Sequence, residues 1–227
     1  MSSPEAECVF LVDVDNTLLD NDRIQADIRS HLAAAYGVDS RDRYAQILQQ
    51  LWDTLGYRDY LGALQRYRAE HPLHVELMAM AQWLLDYPFA QRLYPSALQV
   101  LARFSRAGPV VILSDGDVVF QPHKVQRAGI AAAVDGRVLI YIHKEQALDD
   151  VRRRFPARHY VLVDDKPRIL ASVKQQWGEN VTTVMPRQGQ YAHDSTALAA
   201  RPAPDRQIDS IAELLTHDAH LLARRSP

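Results

Sequence analysis

The chain has 227 residues, 47% hydrophobic and 24% charged, the proportions of an ordinary globular protein long enough for one large domain or a core with a smaller insertion. Its formal net charge of -2 supplies no general attraction to nucleic acid or to an acidic membrane, and one cysteine, Cys8, excludes an internal disulfide. No apolar run approaches the roughly 20 residues that span a bilayer, and the acidic start Met1–Glu7 lacks the basic opening of a signal peptide, so a cytoplasmic protein is expected.

The first β-type run is Cys8–Val12, too short for a helix and apolar throughout. A continuous run of this kind suits a strand covered on both faces, with Cys8 as a small buried hydrophobe. From Asp22 to about Phe89 no strand pattern appears. Four helical patterns follow one another instead: Arg23–Tyr36, Arg41–Leu55, Tyr57–Glu70 and Val75–Asp86, punctuated by Gly37, Gly56, Pro72 and Pro88. They read as an inserted helical subdomain, residues 22–92, within a core made of residues 1–21 and 93–227. Beyond it the pattern alternates. Ser96–Ala107 reads as a helix stopped by Gly108, Pro109–Leu113 as a strand, Val118–Ala128 as a helix and Val138–Ile142 as an edge strand. Glu145–Phe155 reads as a helix, Tyr160–Val163 as a strand, Arg168–Trp177 as a helix ended by Gly178, and Val181–Met185 as a strand. Arg187–Asp205 reads as a long loop and Ile208–Leu222 as a closing helix. Strands alternating with helices predict an α/β fold, a Rossmann-like three-layer core on a parallel sheet with the helical subdomain inserted.

Ligands of open parallel sheets bind beyond the carboxyl ends of the strands, so the residues at those ends matter most. The first strand runs into Asp13-Val14-Asp15-Asn16-Thr17 and the third into Asp164-Asp165. Acidic pairs on adjacent strands crowd carboxylates into one crevice, where they repel unless a cation offsets them. A hard cation with oxygen ligands, Mg²⁺, is the natural counter-charge. The bland readings are a solvated acidic turn at the first pair and an ion pair with Lys166 or Arg168 at the second. The second strand ends in Ser114-Asp115-Gly116; a hydroxyl followed by glycine can hold an anionic oxygen, or can simply cap a turn. Of the four lysines, Lys144 opens a helical pattern and is the favoured positive charge beside the crevice, while Lys124 sits mid-pattern in a helix read as a surface one.

The order D-x-D-x-T, Ser, Lys, D-D resembles the haloacid dehalogenase superfamily of hydrolases over almost the whole chain, from Cys8 to about Leu215. Asp13–Thr17 matches the first motif and is the most specific element. Ile112–Gly116 matches the second, Lys144 the third (with Glu145 where proline often follows) and Val163-Asp164-Asp165 the fourth. The helices after Asn21 look like the cap that many members insert after the first motif.

The resemblance implies a two-step phosphoryl transfer on a small phosphorylated substrate. In it Asp13 attacks phosphorus, Asp15 acts as acid and then base, and Thr17 steadies the loop. Ser114 and Lys144 hold phosphate oxygens, with Asn16, Asp115 and Gly116 lining the substrate side. Mg²⁺ sits on Asp13, the Asp15 backbone carbonyl and Asp165, with Asp164 close by. Dehalogenases of the superfamily lack the second aspartate of the first motif, so Asp15 points to phosphate esters. No lysine lies between Asp22 and Phe89, which disfavours the phosphonate-cleaving relatives that need one there. The alternatives are a phosphosugar mutase using the same aspartyl-phosphate, and a binding or regulatory protein on a retired scaffold. Cap arginines Arg23, Arg58, Arg66 and Arg68 read as a solvated face rather than leaving-group contacts, and Tyr57, Tyr60 and Tyr67 as packing residues. Arg187–Tyr191 either overhangs the site or is an ordinary surface loop.

Overall fold

The structure is a computed structural model in which residues 5–73 and 75–217 are described. Strand β1 (Ala6–Val12) is followed by four helices: α1 (Asn21–Tyr36), α2 (Val38–Leu55), α3 (Tyr60–Glu70) and α4 (Leu77–Asp86). The remainder alternates: α5 (Ala97–Phe104), β2 (Val110–Asp115), α6 (Phe120–Arg127), α7 (Ile130–Ala133), β3 (Val138–Tyr141), α8 (Leu148–Arg154), β4 (Ala157–Val163), α9 (Pro167–Trp177), β5 (Val181–Pro186), α10 (Ser195–Leu198) and β6 (Arg206–Ile208). The strands form one parallel sheet in the order β3-β2-β1-β4-β5-β6.

The period of two along each strand sends its residues to opposite faces. Phe10 and Val12 of β1 join one apolar cluster with Val110, Ile112, Val161 and Val163, where Phe10 stacks on Phe104 at 4.3 Å between ring centroids. Val9 and Leu11 join the other, with Tyr160, Leu162, Ile169, Leu170 and Trp177. Helices thus cover both faces, and that is why these strands read as unbroken apolar runs. The first cluster continues into the inserted helices through Ile24, Ile28, Tyr44, Ile47, Tyr60 and Met80. The loop from β1 to α1 is tied to the residues after α4: Asp20 N–H donates to Arg92 O at 2.8 Å and Tyr94 N–H to Leu18 O at 2.9 Å.

Three expectations change. The stretch 187–205 is not wholly a loop, since it contains α10 and a 3-10 turn at Gln190–His193. A sixth strand, β6, follows it, held by Asp205, whose carboxylate accepts from Thr183 N–H at 2.8 Å and Thr183 Oγ1 at 2.9 Å. The closing helix Ile208–Leu222 is, among the described residues, a 3-10 helix at Ile211–Leu215 with a Ser210/Glu213 capping box; residues beyond 217 lie outside the described range.

Candidate active site

The sheet order puts β1 between β2 and β4, so the chain leaves β1 to one side and later returns on the other. That reversal opens a crevice at the carboxyl ends. Register then fixes what meets there. Val12 lies opposite both Ile112 and Val163, so Asp13, Ser114, Asp164 and Asp165 all emerge at the same end. Asp13 N–H donates to Val163 O at 2.9 Å.

Asp13, Asp164 and Asp165 are 1%, 0% and 1% exposed, and each offers a carboxylate oxygen within 4.8 Å of the others. Lys144, fully buried, sets its ammonium 2.5 Å from Asp13 Oδ1 and 2.6 Å from Asp164 Oδ2. Burial would strip the proton from this lysine, but Asp13, Asp164 and Asp115 hold its pKa above the ordinary value. Burial pushes the Asp13 carboxyl up to about 6 despite the opposing pull of Lys144. Asp165 is raised well above the usual carboxylate range, first by burial and then by the charges of Asp13 and Asp164. Neither oxygen of Asp165 has a hydrogen-bond partner. An unsatisfied buried carboxylate among two others is costly alone and fits a divalent cation with oxygen ligands.

The bland readings of the acidic pairs do not describe this geometry. Lys166 sends its ammonium to Asp115 Oδ2 at 3.5 Å, and Arg168 pairs with Glu145. Lys166 meets Asp164 only through its backbone N–H, at 2.9 Å from Oδ1.

The neighbouring residues are placed as follows. Thr17, fully buried, accepts from Asp165 N–H at 3.1 Å and donates to Asp13 Oδ2 at 3.4 Å, joining the first and last acidic segments. Ser114 is buried and its Oγ accepts from Gln121 Nε2 at 2.9 Å. Asp115 accepts from the Lys144 N–H at 2.8 Å, orienting that lysine. Burial raises the Asp115 pKa, but the lysines 144 and 166 outweigh it and the net shift is downward. Gly116 lines the crevice, and a Cβ there would lie 2.6 Å from Gln121 Cβ. Asn16 adopts a positive φ of 56°. Its Oδ1 accepts from Asn21 N–H at 3.0 Å and Asp22 N–H at 3.2 Å, so the amide is engaged in closing the β1–α1 turn.

Lys124 differs from its expected place. It is 1% exposed, and its ammonium lies 2.5 Å from Asp15 Oδ1. Asp15 is thereby held from α6, with Gln121 Nε2 a further 3.4 Å contact. The inserted helices supply Gln25, Trp52 and Tyr60 to the crevice, the connection between α2 and α3 supplies Tyr57 and Arg58, and the 187–191 segment supplies Gln190 and Tyr191. That segment lies over the site: Gln188 Nε2 donates to Thr17 O at 3.3 Å. Gly189, at φ 69°, packs so closely on Asn16 that a Cβ would lie 2.4 Å from Asn16 Cγ. Of the four cap arginines, only Arg58 lines the crevice; Arg23 pairs with Asp27 at 3.1 Å, and Arg66 and Arg68 are exposed. Tyr60 and Tyr67 are buried, whereas Tyr57 is half-buried at the crevice.

No protein-family profile and no curated relative matches the chain. Solved structures do. An L-2-haloacid dehalogenase from Xanthobacter autotrophicus, with chloropropionic acid covalently bound, superposes at a TM-score of 0.54 with 17% identity, covering 97% of this chain and 100% of that one. A Bacillus subtilis HAD-hydrolase bound to magnesium gives 0.60 with 15% identity, covering 96% and 99%. These two share the fold. A protein from Burkholderia xenovorans LB400, assigned as a haloacid dehalogenase-like hydrolase, gives a TM-score of 0.89 with 53% identity, covering 94% of this chain and 99% of that one. Identity at that level over nearly the full length of both proteins makes this chain a member of the haloacid dehalogenase-like hydrolases.

Proposed function

We propose that the protein is a Mg²⁺-dependent phosphohydrolase that acts on a small phosphorylated metabolite through an aspartyl-phosphate on Asp13. The observation that carries this reading is the buried trio Asp13, Asp164 and Asp165 with Lys144 seated between the first two. Asp13 attacks phosphorus; its P–O bond forms as the bond to the leaving alcohol breaks. Asp15 gives a proton to the departing oxygen, and afterwards takes one from the water that hydrolyses the intermediate. Lys144 and Ser114 hold the phosphate oxygens, and Lys124 fixes the direction of the Asp15 carboxylate.

The residues present fit Mg²⁺. Asp165, with both oxygens unpartnered, is the better direct ligand beside Asp13 and the Asp15 carbonyl. Asp164, engaged by the Lys144 ammonium and the Lys166 N–H, joins Asp115 in orienting Lys144. When bound, the ion neutralises the charge that otherwise opposes attack of one anion on another. A halide departs without a proton, whereas an alkoxide needs one, so an acid held at Asp15 by Lys124 favours a phosphate ester over a haloacid.

The test is hydrolysis of an aryl phosphate with Mg²⁺ by the wild type and by Asp13→Asn. A loss of roughly 10³-fold or more in kcat is expected, as for the removal of other nucleophiles. Equal rates would refute the reading. Phosphate retained on an isomerised substrate would mark a mutase, and failure to bind Mg²⁺ in calorimetry would mark a retired scaffold.

A further inference from the structure

We propose that the crevice carries a second anion subsite, built from Arg58 and Tyr60, and that the leaving group is therefore itself anionic. This deepens the phosphohydrolase reading and rests on it. The cations around the catalytic acids are already engaged: Lys144 by Asp13 and Asp164, Lys124 by Asp15, Lys166 by Asp115. Arg58 also lines this crevice, yet among the described residues no carboxylate lies within 4.0 Å of it. Its guanidinium stands over the Trp52 ring, 5.1 Å from the centroid. Stacking of this kind occupies one face of the plane and leaves the N–H edge for an acceptor.

Tyr60 is the second, independent sign. The residue is 4% exposed and lines the same crevice, and its hydroxyl is buried without a hydrogen-bond partner. A buried hydroxyl without a partner costs free energy unless a ligand supplies one. Burial, chiefly, raises its pKa, so it remains a donor. Asp15, which serves the leaving oxygen, lines the same crevice, and its charge acts on the Tyr60 hydroxyl. Two donors, one of them cationic, on the leaving-group side of Asp15 match a carboxylate or a second phosphate on the alcohol portion of the substrate.

The test compares 3-phosphoglycerate with glycerol 3-phosphate, which differ by a carboxylate in place of a hydroxymethyl group, and adds glycerol 1,3-bisphosphate. A charge-assisted contact is worth roughly 10- to 100-fold, so the wild type should favour 3-phosphoglycerate over glycerol 3-phosphate, or favour the bisphosphate over it, by about that factor in kcat/KM. The better of the two anionic esters tells whether the second anion is carboxylate or phosphate. In Arg58→Gln the ratio of anionic to neutral ester should fall toward one, whatever loss both share. Arg58→Lys should restore part of it, and Tyr60→Phe should lower it severalfold. If the arginine variants do not fold, the wild-type ratio decides alone. Equal kcat/KM on charged and neutral esters, or a ratio that Arg58→Gln leaves intact, would overturn the subsite and leave the phosphohydrolase reading standing. Turnover of an aryl phosphate with none of the three esters would likewise overturn the subsite alone, and no turnover of any of the four by the wild type would remove both.

Discussion

A lysine buried in a protein interior keeps its charge only where carboxylates meet it. Lys144 and Lys124 satisfy that condition at the two ends of the Asp13–Asp15 segment. Lys144 was legible from its place in the order of motifs. Lys124 was not, although a signal exists. The buried residues of α6 are Phe120, Gln121, Lys124 and Val125, a spacing that makes one helix face, and Lys124 lies on it. A charge on an apolar face is a reason to look for its partner, and Asp15 is that partner. Lys124→Met removes the contact while keeping an unbranched side chain. Its kcat should drop by roughly 10- to 100-fold, less than the full loss of a general acid–base of about 10²–10⁴-fold, with KM changing less; an unaltered kcat would show that Asp15 needs no such anchor. Asp15→Asn should lose roughly 10²–10⁴-fold in kcat, measured on an ester with a poor leaving group.

At the scale of elements, strands and long helices were legible because their cause is local. Each central strand is apolar on both faces, and each inserted helix ends at a glycine or proline. The edge was harder to read. β6 has only Arg206, Gln207 and Ile208, and two of these are exposed, so it shows no apolar run. It pairs because Asp205 caps Thr183, a contact between residues 22 apart in the chain. The segment before it reaches the site by a contact far more distant in the chain, Gly189 against Asn16. Gly189→Ala places a methyl group where Asn16 stands and a Cβ on a left-handed backbone. The backbone term alone is about 1–2 kcal/mol, to be read by urea unfolding, and kcat/KM should fall as Gln190 and Tyr191 shift. In the sheet, Phe10→Ala removes a fully buried ring from its stack on Phe104; a loss of about 3–5 kcal/mol is expected. A loss under about 1 kcal/mol would mean that the two faces are not packed as described.

For the molecule as a whole, three buried acids gathered at one end of the sheet make stability depend on pH and, on the proposed reading, on metal. In the metal-free protein Asp13 is pushed up to about 6 from an ordinary 3.8, by burial first, and Asp165 is raised well above the ordinary value for the same first reason. Over this interval the folded state binds protons that the unfolded chain has released. Stability therefore falls as pH rises from about 4 through about 6, the reverse of a carboxylate with a depressed pKa. Thermal unfolding in a chelator should show a Tm that declines from about pH 5 to about pH 7. On the proposed reading Mg²⁺ replaces those protons. At about 100 times its Kd it should contribute about 2.7 kcal/mol, and it should raise Tm more at the upper end of that range. A Tm that does not respond to Mg²⁺ at either pH would count against the cation site.

In the proposed mechanism Asp13 supplies the oxygen that attacks phosphorus, with Asp164 and Asp165 gathered round it. The most direct measurement is borohydride reduction of the enzyme during turnover of a phosphate ester in Mg²⁺, followed by peptide mapping. An acyl phosphate on Asp13 is reduced to homoserine, so residue 13 should be converted, and chelator should abolish the conversion. Steady hydrolysis with Asp13 left unmodified, or with the reduced residue found elsewhere in the chain, would contradict it.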